Sequence, residues 1–179
     1  MKQGIFYAVG VGAGDPMDMT LRAKAVLEQA DIIVTPIPKA GGTSAAYAIA
    51  AQAADLSYAE RLDILFPMQA HNDYRERLRS GVLQPVCTAL DSCRQVAMVT
   101  LGDVSVYSTA SYVRQLLAEK GYATQVIAGV PSFCAGAAKA QQSLCENSES
   151  LQILPAVHSR EAVETALEQF DNLVVMKAG

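Results

Sequence analysis

The sequence predicts an α/β fold with a largely parallel sheet. Short apolar runs rich in Val, Ile and Leu recur along the chain, segments with helical spacing separate them, and glycine-rich or serine-bearing turns stand at the junctions. Strands separated by helices of ten or more residues need crossover connections, and crossovers of that kind build parallel sheets. The chain has 179 residues, of which 51% are apolar and 18% charged, with a formal net charge of -4. That composition excludes disordered and low-complexity architectures. It also allows a core that needs no disulfide staples.

The elements follow in order. Residues 5–9 form a short apolar run closed by glycines, which reads as a buried strand. Leu21, Ala25 and Leu27 give residues 19–30 helical spacing. A second strand over 32–34 is expected to stop before Pro36 and Pro38. The Ala-rich stretch 43–54 opens with Thr43 and Ser44, which suit a capped helix. Residues 62–66 read as a third strand and 71–91 as a long helix that Gly81 and Pro85 interrupt. Residues 95–100, 105–119 and 124–128 read as strand, helix and strand. Beyond Gly129 a small-residue helix over 132–142, a strand over 151–154, a helix over 159–170 and a strand over 173–176 are expected. Only three residues follow that last strand. The expected organisation is therefore an N-terminal α/β domain over 1–128 and the start of a second, incomplete one over 129–179. A single open sheet of about seven strands is the alternative.

Charge and cysteine usage exclude several function classes. The acidic balance argues against a nucleic-acid binder. A basic cluster at Arg75, Arg77 and Arg79 sits at alternate positions that do not share one helix face. Cys87, Cys93, Cys134 and Cys145 contain no CxxC pair, so zinc and thioredoxin-type sites are unsupported and buried reduced thiols are expected. No metal site is expected. No signal-peptide layout opens the chain, and no apolar run approaches the roughly 18 residues that cross a bilayer. A cytoplasmic protein without membrane contact is expected.

In open α/β sheets ligands gather at the carboxyl ends of strands, so the strand-to-helix turns carry the functional reading. The first is Gly10-Val11-Gly12-Ala13-Gly14-Asp15-Pro16. A dinucleotide fingerprint would need glycine where Asp15 stands, and a carboxylate at a helix head repels pyrophosphate. No Gly-Lys-Ser/Thr follows, which excludes a Walker loop. The bland alternative is a tight turn in which Asp15 or Asp18 serves the helix N-terminus. The second turn, residues 101–108, places Asp103 where it can accept hydrogen bonds from a ligand's hydroxyl or ammonium groups, or else cap a helix. The third, Gly129-Val130-Pro131-Ser132-Phe133, again combines small residues with a candidate cap at Ser132. His71 and His158 lie far from these turns, and no nucleophile elbow or HExxH occurs. The pattern is that of a binding and positioning site.

Together the turns carry a resemblance. G-x-G-x-G-D-P-x-x-x-T (Gly10 to Thr20), L-G-D-x-x-x-Y-S (Leu101 to Ser108), G-V-P-S-F (Gly129 to Phe133) and V-V-M-K-x-G (Val174 to Gly179) occur in the order found in the tetrapyrrole methylase family, which the whole chain resembles. The stretches 107–112 and 129–133 and the Met-Lys-x-Gly ending look most like the branch that methylates C20 of precorrin-2 or cobalt-factor II in cobalamin (corrin) biosynthesis, a part of porphyrin metabolism.

The resemblance implies two α/β domains of the tetrapyrrole methylase type, S-adenosyl-L-methionine as cofactor with S-adenosyl-L-homocysteine as product, and a homodimer. It implies cofactor contacts at Ala13, Leu101, Gly102, Asp103, Val106, Pro131, Ser132 and Met176. The first glycine loop, with Gly12, Gly14 and Asp15, then faces the tetrapyrrole. Arg22 and Lys24 just beyond it are candidates to dock the substrate's carboxylates, and Asp15 and Tyr107 are candidates to take the proton lost on methylation. Val104 stands where the family usually has proline. Family members continue for several strands beyond the M-K-x-G segment. Other readings are another branch such as the uroporphyrinogen-III C-methyltransferases, a diphthamide-type methylase, or a non-catalytic fragment. A nucleotide-binding module is disfavoured because no acidic residue closes the second strand.

Overall fold

The computed structural model describes residues 4–66, 81–155 and 160–176. The chain divides into two compact units, Met1–Pro131 and Ser132–Gly179. The first unit contains β1 (Ile5–Gly10), α1 (Leu21–Glu28), β2 (Ile32–Ile37), α2 (Ala45–Ala53), β3 (Glu60–Leu65), α3 (Leu83–Asp91), β4 (Val96–Thr100), α4 (Thr109–Glu119) and β5 (Ala123–Ile127). Its five strands form one sheet in the order β3-β2-β4-β1-β5, and every neighbouring pair is parallel. The α/β class with a parallel sheet is therefore as the alternation predicts.

Side chains alternate between the two faces of the sheet, and each face is covered by its own helices. Phe6, Ala8, Ile32, Val34, Val96 and Met98 pack against Val86 and Leu90 of α3 and Val113 and Leu117 of α4. Val9, Ile33, Ala97 and Val99 face the other way, against Ala23 and Leu27 of α1 and Ala46, Ile49 and Ala50 of α2. The three central strands, β1, β2 and β4, are largely buried on both faces, which is why they read as apolar runs, while the edge strands β3 and β5 are mostly exposed. Each of the large, fully buried side chains contributes about 1.5–3 kcal/mol, so this core is what holds the strand ends in place.

The boundaries differ from the sequence reading where local chemistry overrides pattern. β2 runs through Pro36 to Ile37 instead of stopping at Val34. Its pairing with β4 ends at Val34 while its pairing with β3 continues to Ile37, so Pro36 lies where one side of the strand no longer needs a donor. α4 starts at Thr109, with Ser108 as its cap (Ala110 N–H to Oγ, 3.2 Å), and not at Ser105. α3 begins at Leu83, directly after wider helical winding at residues 81–82, and carries Pro85 in its first turn. The part of the predicted long helix over 71–80 lies outside the described residues, as do His71, His158, Arg75, Arg77 and Arg79.

The second unit contains α5 (Ser132–Ala140), β6 (Leu151–Leu154), α6 (Arg160–Gln169) and β7 (Asn172–Val175). β6 and β7 pair in parallel as a separate two-stranded sheet, so the single seven-stranded sheet does not form. All eight strand residues are half-buried, and Ala166 is the one buried apolar residue among this unit's described positions. The cysteines depart from expectation. None is bridged, but Cys93, Cys134 and Cys145 are exposed and Cys87 is half-buried. No helix among the described residues is long and apolar enough to cross a membrane. No cluster of three or more metal-ligating side chains occurs among them either.

Candidate functional site

The strand order makes β1 the neighbour of both β4 and β5, so the three turns singled out in the sequence leave the same edge of the sheet side by side. They are also bonded to one another. Gly12 N–H donates to the Gly102 carbonyl at 3.3 Å, and Gly102 N–H donates back to the Gly12 carbonyl at 2.8 Å. Val11 N–H reaches the Thr100 carbonyl at 3.0 Å. Gly10, Gly102 and Gly129 then meet with no side chain between them. A Cβ on Gly10 would lie 2.6 Å from the Gly102 oxygen, and one on Gly129 would lie 2.2 Å from that oxygen and 2.7 Å from the Gly10 carbonyl carbon. All these neighbours are backbone atoms, so glycine is a packing requirement here.

Asp103 sits at the centre of the junction, half-buried. Its Oδ1 accepts from the Ser105 N–H at 2.8 Å and from the Ser105 hydroxyl. Its Oδ2 accepts from the Gly129 N–H at 2.7 Å. Burial opposes the charged form, but the Ser105 hydroxyl and the N–H groups of Gly129, Ser105 and Val104 outweigh it and hold the carboxyl below the usual aspartate value. The Val104 N–H is a donor that proline could not supply, and the Val104 side chain is buried in the α3/α4 core. Asp103 therefore closes its own turn and ties it to the third turn. It does not cap α4.

The other predicted positions fall as follows. Gly12 and Gly102 are buried with their N–H and C=O groups engaged by each other; Ala13 is half-buried and Gly14 exposed beside them. Asp15 is exposed and caps the short 3-10 turn Pro16–Asp18, with Oδ1 accepting from Met17 N–H at 2.9 Å. Leu101 and Tyr107 are each 50% exposed, Val106 is half-buried, and Tyr107 has a left-handed backbone with φ of 48°. Arg22 is exposed on the first turn of α1. Lys24 is engaged elsewhere: its Nζ donates to the Ala53 carbonyl at 2.7 Å, at the end of α2, and pairs with Glu28 at 2.9 Å. These bonds give Lys24 a structural role at the end of α2. Pro131 ends the first unit half-buried. Ser132 and Met176 belong to the second unit, where Ser132 opens α5 and Met176 continues the sheet through its N–H to the Leu154 carbonyl at 2.9 Å.

Thr20 is the residue whose role sequence reasoning missed. Its Oγ1 caps α1 by accepting from Ala23 N–H at 3.1 Å and donates to the Ala128 carbonyl at 3.1 Å. It thereby joins the first turn to the end of β5. Its place as the last residue of the first motif was the available signal. Gly10 and Gly129 likewise stood within motifs, but their mutual contact depends on the strand order.

The donor set has a definite chemical preference. The three turns, residues 10–20, 101–108 and 128–132, hold three carboxylates (Asp15, Asp18 and Asp103) and no lysine or arginine. Such a set repels phosphate and suits a ligand bearing an ammonium or sulfonium charge. Leu101 and Val106 supply apolar surface beside it.

The sequence profile of the Tetrapyrrole (Corrin/Porphyrin) Methylases matches residues 6–179. A probable cobalt-precorrin-2 C(20)-methyltransferase of Methanocaldococcus jannaschii is 37% identical over 96% of this chain and 71% of its own length. The cobalt-precorrin-2 C(20)-methyltransferase of Salmonella typhimurium is 30% identical over 97% and 73%. A precorrin-2 C(20)-methyltransferase of Sinorhizobium sp. is 24% identical over 98% and 74%. Among solved structures, a cobalt precorrin-4 methyltransferase superposes with a TM-score of 0.65 at 22% identity, covering 87% of this chain and 59% of that one. The chain thus spans about three fifths of the length of that structure. A uroporphyrin-III-C-methyltransferase from Thermus thermophilus gives a TM-score of 0.61 at 22% identity, covering 96% and 74%. At these identities the structural likenesses establish the fold, while the profile and the sequence relatives establish descent. The chain belongs to the tetrapyrrole (corrin/porphyrin) methylase family.

Proposed function

We propose that the chain is an S-adenosylmethionine-dependent methyltransferase acting on C20 of the cobalt-loaded form of precorrin-2 in cobalamin biosynthesis. The observation that carries this is the 37% identity to the archaeal relative over nearly the whole chain. The cobalt form is favoured over the metal-free one because both relatives at 30% identity or more bear it in their names, and the metal-free enzyme matches at 24%.

The junction of the three turns fits the cofactor. Its carboxylates and lack of cations suit a sulfonium, and its half-exposed Leu101 and Val106 suit a purine. In this reading the turn Leu101–Asp103, with Ala13, Val106 and Pro131, holds S-adenosylmethionine. Bound there, the cofactor supplies a methyl group already activated for in-line displacement, with S-adenosylhomocysteine left behind. The chain's own contribution is alignment and exclusion of water, which is why no acid–base triad is needed. Gly12, Gly14 and Asp15 face the macrocycle. Arg22 pairs with one of its carboxylates. Asp15 and Tyr107 are the candidates to accept the proton that the ring carbon releases. The family resemblance supports a homodimer, and a cytoplasmic location accompanies it.

The test is an anaerobic methyl-transfer assay with cobalt-loaded precorrin-2, metal-free precorrin-2 and uroporphyrinogen III, products read by mass. Addition of one methyl to the cobalt substrate in preference to the others is expected. Turnover of uroporphyrinogen III alone would overturn the branch assignment.

A further inference from the structure

The Ala128–Gly129 peptide at the end of β5 is gripped on both sides by side chains from the other two turns. Its carbonyl oxygen accepts from Thr20 Oγ1 at 3.1 Å, and its N–H donates to Asp103 Oδ2 at 2.7 Å. The carbonyl and N–H of one peptide unit point in opposite directions, so Thr20 and Asp103 approach from opposite sides. Asp103 is itself fixed by Ser105, and Thr20 by its cap on α1. We propose that Thr20 and Asp103 form a two-sided clamp on this peptide and act as positioning residues for the Gly129-Val130-Pro131 turn. This deepens the cofactor reading above and rests on it for its functional consequence.

The geometry has a specific energetic signature. Rotation of the peptide plane breaks both bonds at once, because neither partner can follow the group it holds. With both bonds present the native orientation is well favoured, and with one it is still partly favoured. Loss of both therefore weakens whatever depends on the turn by more than the product of the two single losses. A cap that served only α1, or an aspartate that served only its own turn, would give simple multiplication. The absence of a side chain on Gly129 belongs to the same design, since a Cβ there would press on the Gly102 oxygen and push the peptide out of reach of Asp103.

The experiment uses the full chain in four forms, wild type, Thr20→Val, Asp103→Asn and the double variant, with Thr20→Ser as a rescue. Two quantities are read. One is the chemical shift and hydrogen-exchange rate of the Gly129 amide without ligand. The other is affinity for S-adenosylhomocysteine. Thr20→Val should shift the Gly129 amide and speed its exchange at least tenfold, although Thr20 does not touch that N–H. Thr20→Ser should restore both. Each single variant should weaken the ligand several-fold, and the double variant by more than the product. An unmoved Gly129 amide in Thr20→Val, or affinity losses that simply multiply, would overturn the clamp. A wild type whose amide behaves as expected but which ignores the ligand would overturn the cofactor reading and leave the clamp as a purely structural device. Circular dichroism on each variant confirms that the fold is retained; should Asp103→Asn fail to fold, Ser105→Ala, which loosens Asp103 without removing it, takes its place with the same expectation.

Discussion

Replacing Gly129 by alanine isolates the close approach on which the three-turn junction depends. The backbone of Gly129 is not in the left-handed region, so alanine could adopt it, and the loss of unfolded-state freedom alone would stabilise the protein by roughly 0.4–1 kcal/mol. The new methyl group would instead stand 2.2 Å from the Gly102 oxygen and 2.7–2.8 Å from Gly10 carbon atoms. No flexible side chain is available to move away. Forced overpacking of this kind costs about 1–3 kcal/mol, and displacement of Gly129 also strips Asp103 of a charge-assisted hydrogen bond worth about 1.5–3 kcal/mol. The net loss should be about 3 kcal/mol. The comparison is Gly121→Ala at the end of α4, where φ is 89° but a Cβ would meet nothing within 4 Å. Conformation alone then costs roughly 1–2 kcal/mol. Both sites lie in the first unit, so urea unfolding of that unit compares them directly. A Gly129→Ala loss no larger than that of Gly121→Ala would refute the packing argument.

Four further outcomes follow from the structure. The Asp103 carboxyl lies below its ordinary value of 3.8, so its stabilisation is present above that pH and disappears as pH falls through the lower folded-state value. Wild type should therefore melt above Asp103→Ala at pH 6, and the gap should close in strong acid, as thermal melts across pH will show. Arg22→Ala should raise the KM for the carboxylate-rich substrate with little change in melting temperature. Lys24→Met should do the reverse, with a loss of about 1 kcal/mol from the end of α2. Tyr107→Asn should gain up to about 1 kcal/mol in unfolding experiments, because asparagine tolerates the left-handed backbone that tyrosine occupies under strain.

The division between what could and could not be read from residues alone follows the range of the interactions. Buried parallel strands announce themselves, because a strand covered on both faces must be apolar throughout, and residues 5–10, 32–34 and 96–100 show this. The catalogue of turns was equally legible, since glycine, aspartate and serine at strand ends have local reasons to be there. Boundaries failed where the deciding contact was distant. Pro36 lies inside β2 because β4 has already left that side of it, and nothing near residue 36 records this. The structural bond of Lys24 went unread because the Ala53 carbonyl that accepts it is 29 positions away. The bond by which Asp103 ties its turn to Gly129 could not be read, because Gly129 is 26 positions away. Thr20, bonded across 108 positions, could be marked as part of a motif but given no task. The cysteines were expected to be buried by residue type, and type does not tell which helix face or loop each occupies.

The central claim is that the junction of these three turns holds S-adenosylmethionine. Calorimetric titration of the chain with S-adenosylhomocysteine, with NAD as the control, tests it most directly. Saturable micromolar binding of S-adenosylhomocysteine and none of NAD is the predicted result. Binding of NAD, or no heat with S-adenosylhomocysteine, would contradict it.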